Sequence, residues 1–242
     1  MVRSRTMAEQ GGQATVNVAG GQPGSTARKG RAMLALGGLA CIAMVVLLGF
    51  AVGPRSSDPD RDLKRVLREP LDDRLYRRTV RLLASETGWP HAAYAVALLP
   101  VAAAAALLVR EVWLLRRPAD LWRWRWLLPA LAALPLQHAL RVAFWRAGPR
   151  VPLWSEGDRG AYPSGAAVAV ALGWAVGAVV VGDLRPRWRP VVVTAAVVAL
   201  GLHAAARITA QKHWATDILG SYLLVAGVLL LATVSVPAAR RR

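Results

Sequence analysis

The sequence predicts an all-α integral membrane protein, a six-helix bundle with an amphipathic helical segment between spans one and two. Three observations carry this prediction. The chain of 242 residues is 55% hydrophobic with only 2 Phe, and its Ala, Val and Leu gather in long charge-free runs. Six runs have about the length that crosses a hydrocarbon layer of ~30 Å. The arginines and tryptophans collect in the gaps between runs, where headgroups hold both side chains.

Several classes are excluded. A disordered chain lacks apolar residues, and neither a collagen nor a coiled-coil period is present. Cys41 is the single cysteine, so there is no disulfide scaffold. The formal charge of +17 first suggests nucleic acid. A nucleic-acid reader carries its charge as a stripe on a soluble fold. Here the cations punctuate the apolar runs, as in loops facing anionic lipid, and membrane lipids are the expected surroundings.

Residues 1–31 are rich in Gly, Ala, Gln, Ser and Thr and are expected to form a disordered basic cytoplasmic tail. Residues 32–53 form the first span, too long for the core of a signal peptide. Residues 55–90 alternate charges with Leu63, Val66, Leu67, Leu71, Leu75, Val80 and Leu83 at helical spacing. This suits helices that lie on the membrane surface or cap the bundle. The further spans are 92–109, 127–144, 165–182, 191–206 and 218–236, so the membrane domain covers 32–237 and a second basic cytoplasmic tail covers 238–242. Pro100, Pro129 and Pro135 are read as kinks, because neighbouring helices satisfy freed carbonyls. The Arg185-Pro-Arg-Trp-Arg189 turn and the triplet Arg240, Arg241 and Arg242 read as cytoplasmic anchors in a cell membrane. The loops between spans three and four and between spans five and six then share the extracytoplasmic face.

Those two loops hold the candidate chemistry. The first runs from Arg141 through Arg146, Gly148, Pro149 and Arg150 to Tyr162, Pro163, Ser164 and Gly165. The second contains Arg207, Lys212, His213 and Asp217. Guanidiniums and the free N–H groups of a helix N-terminus are the groups a phosphate needs. His213 and Asp217 are four apart, so at the start of span six they can share a helical face. The carboxylate then orients the imidazole and leaves the other ring nitrogen free to attack phosphorus. Local sequence also allows plainer roles: Asp217 and Ser164 as helix caps, Arg141 and Arg207 as snorkelling cations, His138 and His203 as interhelical hydrogen-bond partners.

Together these residues resemble the membrane lipid phosphatase branch of the type 2 phosphatidic acid phosphatase family, relatives of the vanadium haloperoxidases. The family signatures are K-x₆-R-P, P-S-G-H and S-R-x₅-H-x₃-D. The third reads here Ala206-Arg207, five residues, His213, three residues, Asp217. The second reads Pro163-Ser164-Gly165 with Ala166 in place of histidine, and the first reads Arg141, six residues, Gly148-Pro149 with Gly148 in place of arginine.

The resemblance implies His213 as nucleophile with Asp217 as its partner, and Arg141, Arg207, Ser164 and Gly165 as the phosphate cradle, with Arg150 placed to restore the cation missing at Gly148. It implies no metal and no cofactor, and a lipid phosphate or diphosphate as substrate, hydrolysed through a phosphohistidine. Ala166 cannot act as the general acid that the family histidine supplies. Three accounts stand open: a diphosphate substrate whose leaving group needs less protonation, a proton from His203, His138, Glu156 or Asp158, or a protein that binds lipid phosphate without turnover. A transporter of anionic lipid is a further alternative.

Overall fold

The computed structural model describes residues 24–52, 58–68, 102, 105–106, 109–110, 127–149 and 160–235. The expectations for most of the tails, the second half of the amphipathic segment, most of span two, Arg150, Glu156 and Asp158 lie outside the described residues. The described residues are helical apart from turns and loops, with no strand among them. The helices are α1 (Gly24–Val52), α2 (Asp58–Arg68), α3 (Leu127–Ala130), α4 (Ala133–Phe144), α5 (Gly165–Leu184), α6 (Arg189–Thr209) and α7 (Ala215–Ser235), with a 3₁₀ turn at Pro186–Trp188. Four segments are long and apolar enough to cross a membrane: Thr26–Val52, Gly165–Leu184, Pro186–Thr209 and Ala215–Ser235. The chain is a multi-pass membrane protein.

Helix α1 begins before its apolar run, so Gly24–Arg31, expected within the tail, form its first turns. It packs along α7. The two backbones meet at Gly38 and Gly227, where a Cβ on Gly38 would lie 3.0 Å from the Gly227 carbonyl and one on Gly227 would lie 3.0 Å from that of Gly38. Small residues at such a crossing let helices gain dispersion contacts where lipid supplies no hydrophobic drive. The outward faces stay apolar: Met33, Leu36, Phe50, Val197 and Leu202 are exposed, as expected of side chains that meet acyl chains.

Span three departs from expectation. Pro129 and Pro135 do more than kink it: a turn at Leu131 and Ala132 separates α3 from α4, held by Leu131 N–H to Leu128 O (3.1 Å) and Ala132 N–H to Pro129 O (3.0 Å). Pro135 falls in the first turn of α4, where its missing N–H has no intrahelical partner to lose.

Tyr162 ties the span ends together. Its ring is fully buried, meets Phe144 edge-on at 5.5 Å, and its hydroxyl donates to the Val45 carbonyl of α1. With Val45, Ala133, Val168, Leu224 and Val228 it forms the core beneath the two loops.

Candidate functional site

The site is built where α4, α5, α6 and α7 end on one face. Trp145 closes α4 in a left-handed conformation (φ 44°), its N–H donating to Arg141 O, and this reversal turns Arg146 into the protein. The Arg146 carbonyl accepts from Gly160 N–H (2.8 Å) and Ala161 N–H (2.7 Å), closing the neck of the first loop. Gly160 has φ +97°, and a Cβ there would stand 2.8 Å from Arg141 Nε. Glycine is needed on both counts, for the left-handed backbone and for the guanidinium stem lying across it.

Arg146 is 1% exposed, and so is Asp60 of α2; Asp217 of α7 is fully buried. Arg146 Nη1 donates to Asp217 Oδ1 (2.6 Å) and to Thr216 Oγ1 (2.6 Å), and Nη2 donates to Asp60 Oδ2 (2.8 Å). Its guanidinium carbon lies 5.9 Å from the centre of the Trp214 ring, within cation–π range. Asp60 also accepts from Thr216 N–H (3.0 Å) and Thr216 Oγ1 (2.8 Å). Trp214, at the position preceding α7, has no side-chain acceptor for the first-turn amides, so a carboxylate from α2 caps the helix from outside. Asp217, three residues beyond Trp214, reaches back to the Trp214 N–H through Oδ2 (2.8 Å), the second half of a capping box.

The second loop folds back on the end of α6. Arg207 O accepts from Lys212 N–H (3.1 Å) and His213 N–H (3.4 Å), which sets His213 beside the last turn of α6. The helix begins only at Ala215, so His213 precedes it instead of sharing its face with Asp217. The imidazole Nδ1 nevertheless faces Asp217 Oδ2 at 3.6 Å, just beyond hydrogen-bond distance. His213 is largely buried and Arg207 half-buried.

The Pro163-Ser164-Gly165 turn joins the same assembly. Ser164 N–H donates to Asp217 O (3.3 Å), its carbonyl accepts from Ser221 Oγ (3.0 Å), and its hydroxyl accepts from Ala167 N–H (3.3 Å). The serine is therefore the N-cap of α5, the plainer of its two sequence readings. Gln137 holds the turn through Pro163 O (2.9 Å). The Gly165 and Ala166 amides lie in the first turn of α5, where the helix supplies no acceptor.

The two loops thus converge: Arg146 meets Asp217, Ser164 meets Asp217, and Trp214 Nε1 donates to Ala147 O (3.2 Å). Arg141 stands at the rim, exposed, against Gly160. His138 is exposed and His203 is buried. Sequence reasoning missed Asp60 and Arg146. Arg146 stands two residues before the glycine where the family signature has its second cation, which is the one local signal that pointed to it.

Burial, and secondarily the charge of Asp217, pushes the Tyr162 hydroxyl above its ordinary range, with Arg146 acting the other way.

No family model and no curated protein matches the chain. Among solved structures it is similar to a transmembrane PAP2-type phosphatidylglycerolphosphate phosphatase from Bacillus subtilis. The TM-score is 0.60 and the identity 17%, over 85% of this chain and 98% of that one. The likeness establishes the fold: this chain has a lipid-phosphatase-like membrane architecture.

Proposed function

We propose that the protein hydrolyses the phosphate ester or anhydride of a membrane lipid, with His213 as nucleophile and the site at the extracytoplasmic face of the cell membrane. One observation carries the reading: in a phosphatase-like membrane fold, His213 lies with Nδ1 3.6 Å from a buried carboxylate and its backbone bonded to the last turn of α6, beside Arg207. Asp217 orients the ring from the Nδ1 side, so Nε2 is the attacking atom. Arg207 and Arg141, with the first-turn amides of Gly165 and Ala166, are the groups that would meet phosphoryl oxygens. Ser164 supports those amides as the cap and does not offer its own hydroxyl.

The substrate is a lipid phosphate or diphosphate. A polyprenyl diphosphate fits Ala166 better than phosphatidate, because a departing phosphate is far less basic than an alkoxide and needs less protonation. The protein of similar fold is described as acting on phosphatidylglycerolphosphate, so a lipid monophosphate belongs in the same assay.

A second reading has its own observation. Asp217 is closer to Arg146 (2.6 Å) than to His213 (3.6 Å), as in a chain that keeps the architecture to bind lipid phosphate without turnover. Purified protein in detergent, offered farnesyl diphosphate and a lipid monophosphate, separates the two. Release of inorganic phosphate that disappears in His213→Ala supports hydrolysis. Saturable binding with no release from either lipid favours the binder and overturns the enzymatic reading.

A further inference from the structure

His203 lies on α6 one helical turn before Arg207. It is 9% exposed, and neither ring nitrogen has a hydrogen-bond partner among the described residues. Buried imidazole nitrogens are hydrogen-bonded as a rule, and an exception calls for a reason. The surroundings supply one. His203 and Arg207 are four apart on α6 and share a helical face, and the Arg207 carbonyl accepts from the His213 N–H (3.4 Å). The helical stretch that carries it also touches the start of α5, where Ala167 packs with Ile208 and Ala204. The unsatisfied imidazole thus stands among the elements that hold the candidate nucleophile, a candidate phosphate-binding arginine and the first-turn amides of α5.

Resting on the hydrolytic reading above, we propose that His203 is the general base that activates water against the phosphohistidine. In the first step His213 Nε2 bonds to the terminal phosphorus and the bond from phosphorus to the leaving oxygen breaks, its electron pair departing with the lipid monophosphate. In the second, a water oxygen bonds to phosphorus and the N–P bond breaks, returning its pair to Nε2. One water proton passes to His203 and from there to solvent. Asp217 and Asp60 are already bound to Arg146 and are poor acceptors for that proton. His203 is the buried titratable side chain near His213 with unengaged nitrogens among the described residues.

The two steps can be read separately. The full-length protein in detergent is given farnesyl diphosphate labelled with ³²P in the terminal phosphate, and acid-labile, alkali-stable protein label is followed alongside released phosphate. In wild type, turnover should be steady with little label on protein. His203→Gln should transfer the label at a rate within a few-fold of wild type, accumulate it toward one per chain, and release phosphate ~10²–10⁴-fold more slowly. His203→Ala should do the same, with added imidazole restoring release, which also shows that the variant is folded. Unchanged release in both variants overturns the proposal. So does a joint fall of transfer and release with no accumulated label and no rescue, the signature of a structural residue. Wild type that neither takes up label nor releases phosphate overturns the hydrolytic reading itself, a result that no His203 variant can mimic.

Discussion

Replacing Asp60 tests the buried charge network directly. Arg146 sits between two carboxylates, and Asp60 also caps the first turn of α7 through Thr216. Asp60→Ala removes one ion pair, the acceptor for the Thr216 N–H and the acceptor for the Thr216 hydroxyl. Breaking one partner of a buried ion pair costs about 3–5 kcal/mol, and loss of an N-cap about 0.5–2 kcal/mol. The two costs share one carboxylate and do not add in full. Arg146 also keeps Asp217, so the remaining pair is neutral. The expected loss is therefore near the low end, about 3–4 kcal/mol. Asp60→Asn keeps one oxygen for the Thr216 amide but gives up the charge and the acceptor that Arg146 Nη2 and the Thr216 hydroxyl share, so its loss is only somewhat smaller than that of Asp60→Ala. Arg146→Met is the worst of the three, because it leaves two carboxylates facing one another without a cation.

Thermal unfolding in detergent, followed by tryptophan fluorescence, reads the order. For a domain of this size 1 kcal/mol moves Tm by about 2–4 °C, so Asp60→Ala should fall by roughly 6–16 °C and Asp60→Asn by less. The double variant Asp60→Ala/Arg146→Met should lose much less than the two single losses combined, since both break the same contact. Single variants within 1 °C of wild type, or strict additivity in the double variant, would refute the reasoning.

Gly220→Ala should destabilise by about 1–3 kcal/mol, because its Cβ would stand 2.5 Å from the pinned Tyr162 ring; Gly201→Ala, whose Cβ meets nothing within 4 Å, should stabilise by about 0.5–1 kcal/mol in the same melts. The raised Tyr162 hydroxyl contributes stability that is complete below the ordinary tyrosine value near pH 10 and drains away as pH rises toward the folded-state value. Tyr162→Phe should therefore show a shallower loss of stability above pH 10 than wild type, and equal slopes would count against the assignment. Lys212→Cys, at an exposed position beside His213, should react with a membrane-impermeant maleimide added to intact cells, with the wild-type chain and its lone Cys41 as the background. Labelling only after lysis would place the site on the cytoplasmic side.

Four of the spans were legible because lipid imposes a composition on every residue it touches. The run starting at Gly165 announced α5 together with its cap, Ser164, since serine before an apolar run is a local signal. The R-x₅-H-x₃-D spacing led to His213 and Asp217, although the loop, and not a shared helical face, brings them together. Asp60 was not legible. It lies among the mixed charges of Asp58 to Arg65, in the segment read as an amphipathic helix on the membrane surface or capping the bundle, and its partner Arg146 is 86 residues away. No period or spacing encodes that pairing. Arg146 was named only as one of the cations of the first loop, because a buried arginine between two acids differs from an interfacial one only in tertiary surroundings. The break at Leu131 and Ala132 was half visible: the prolines were read, but whether they bend or divide a helix depends on what receives the freed carbonyls.

The position of Arg146 changes what the first loop can contribute. Both of its terminal nitrogens are committed to Asp60, Thr216 and Asp217, so it braces the site. The Asp60–Arg146–Asp217 group carries a net charge of −1 beside the start of α7, which repels a phosphate dianion unless cations stand between. On the proposed reading that work falls to Arg207 and Arg141, aided by the α5 amides. Asp217 does not belong wholly to His213: one oxygen accepts from Arg146, and the other serves the Trp214 amide while facing the imidazole. On the proposed reading, attack on phosphorus makes the His213 ring cationic, and the net negative group gains a counter-charge. The 3.6 Å separation would then shorten to a hydrogen bond, so the network would stabilise the phosphorylated ring more than the free one.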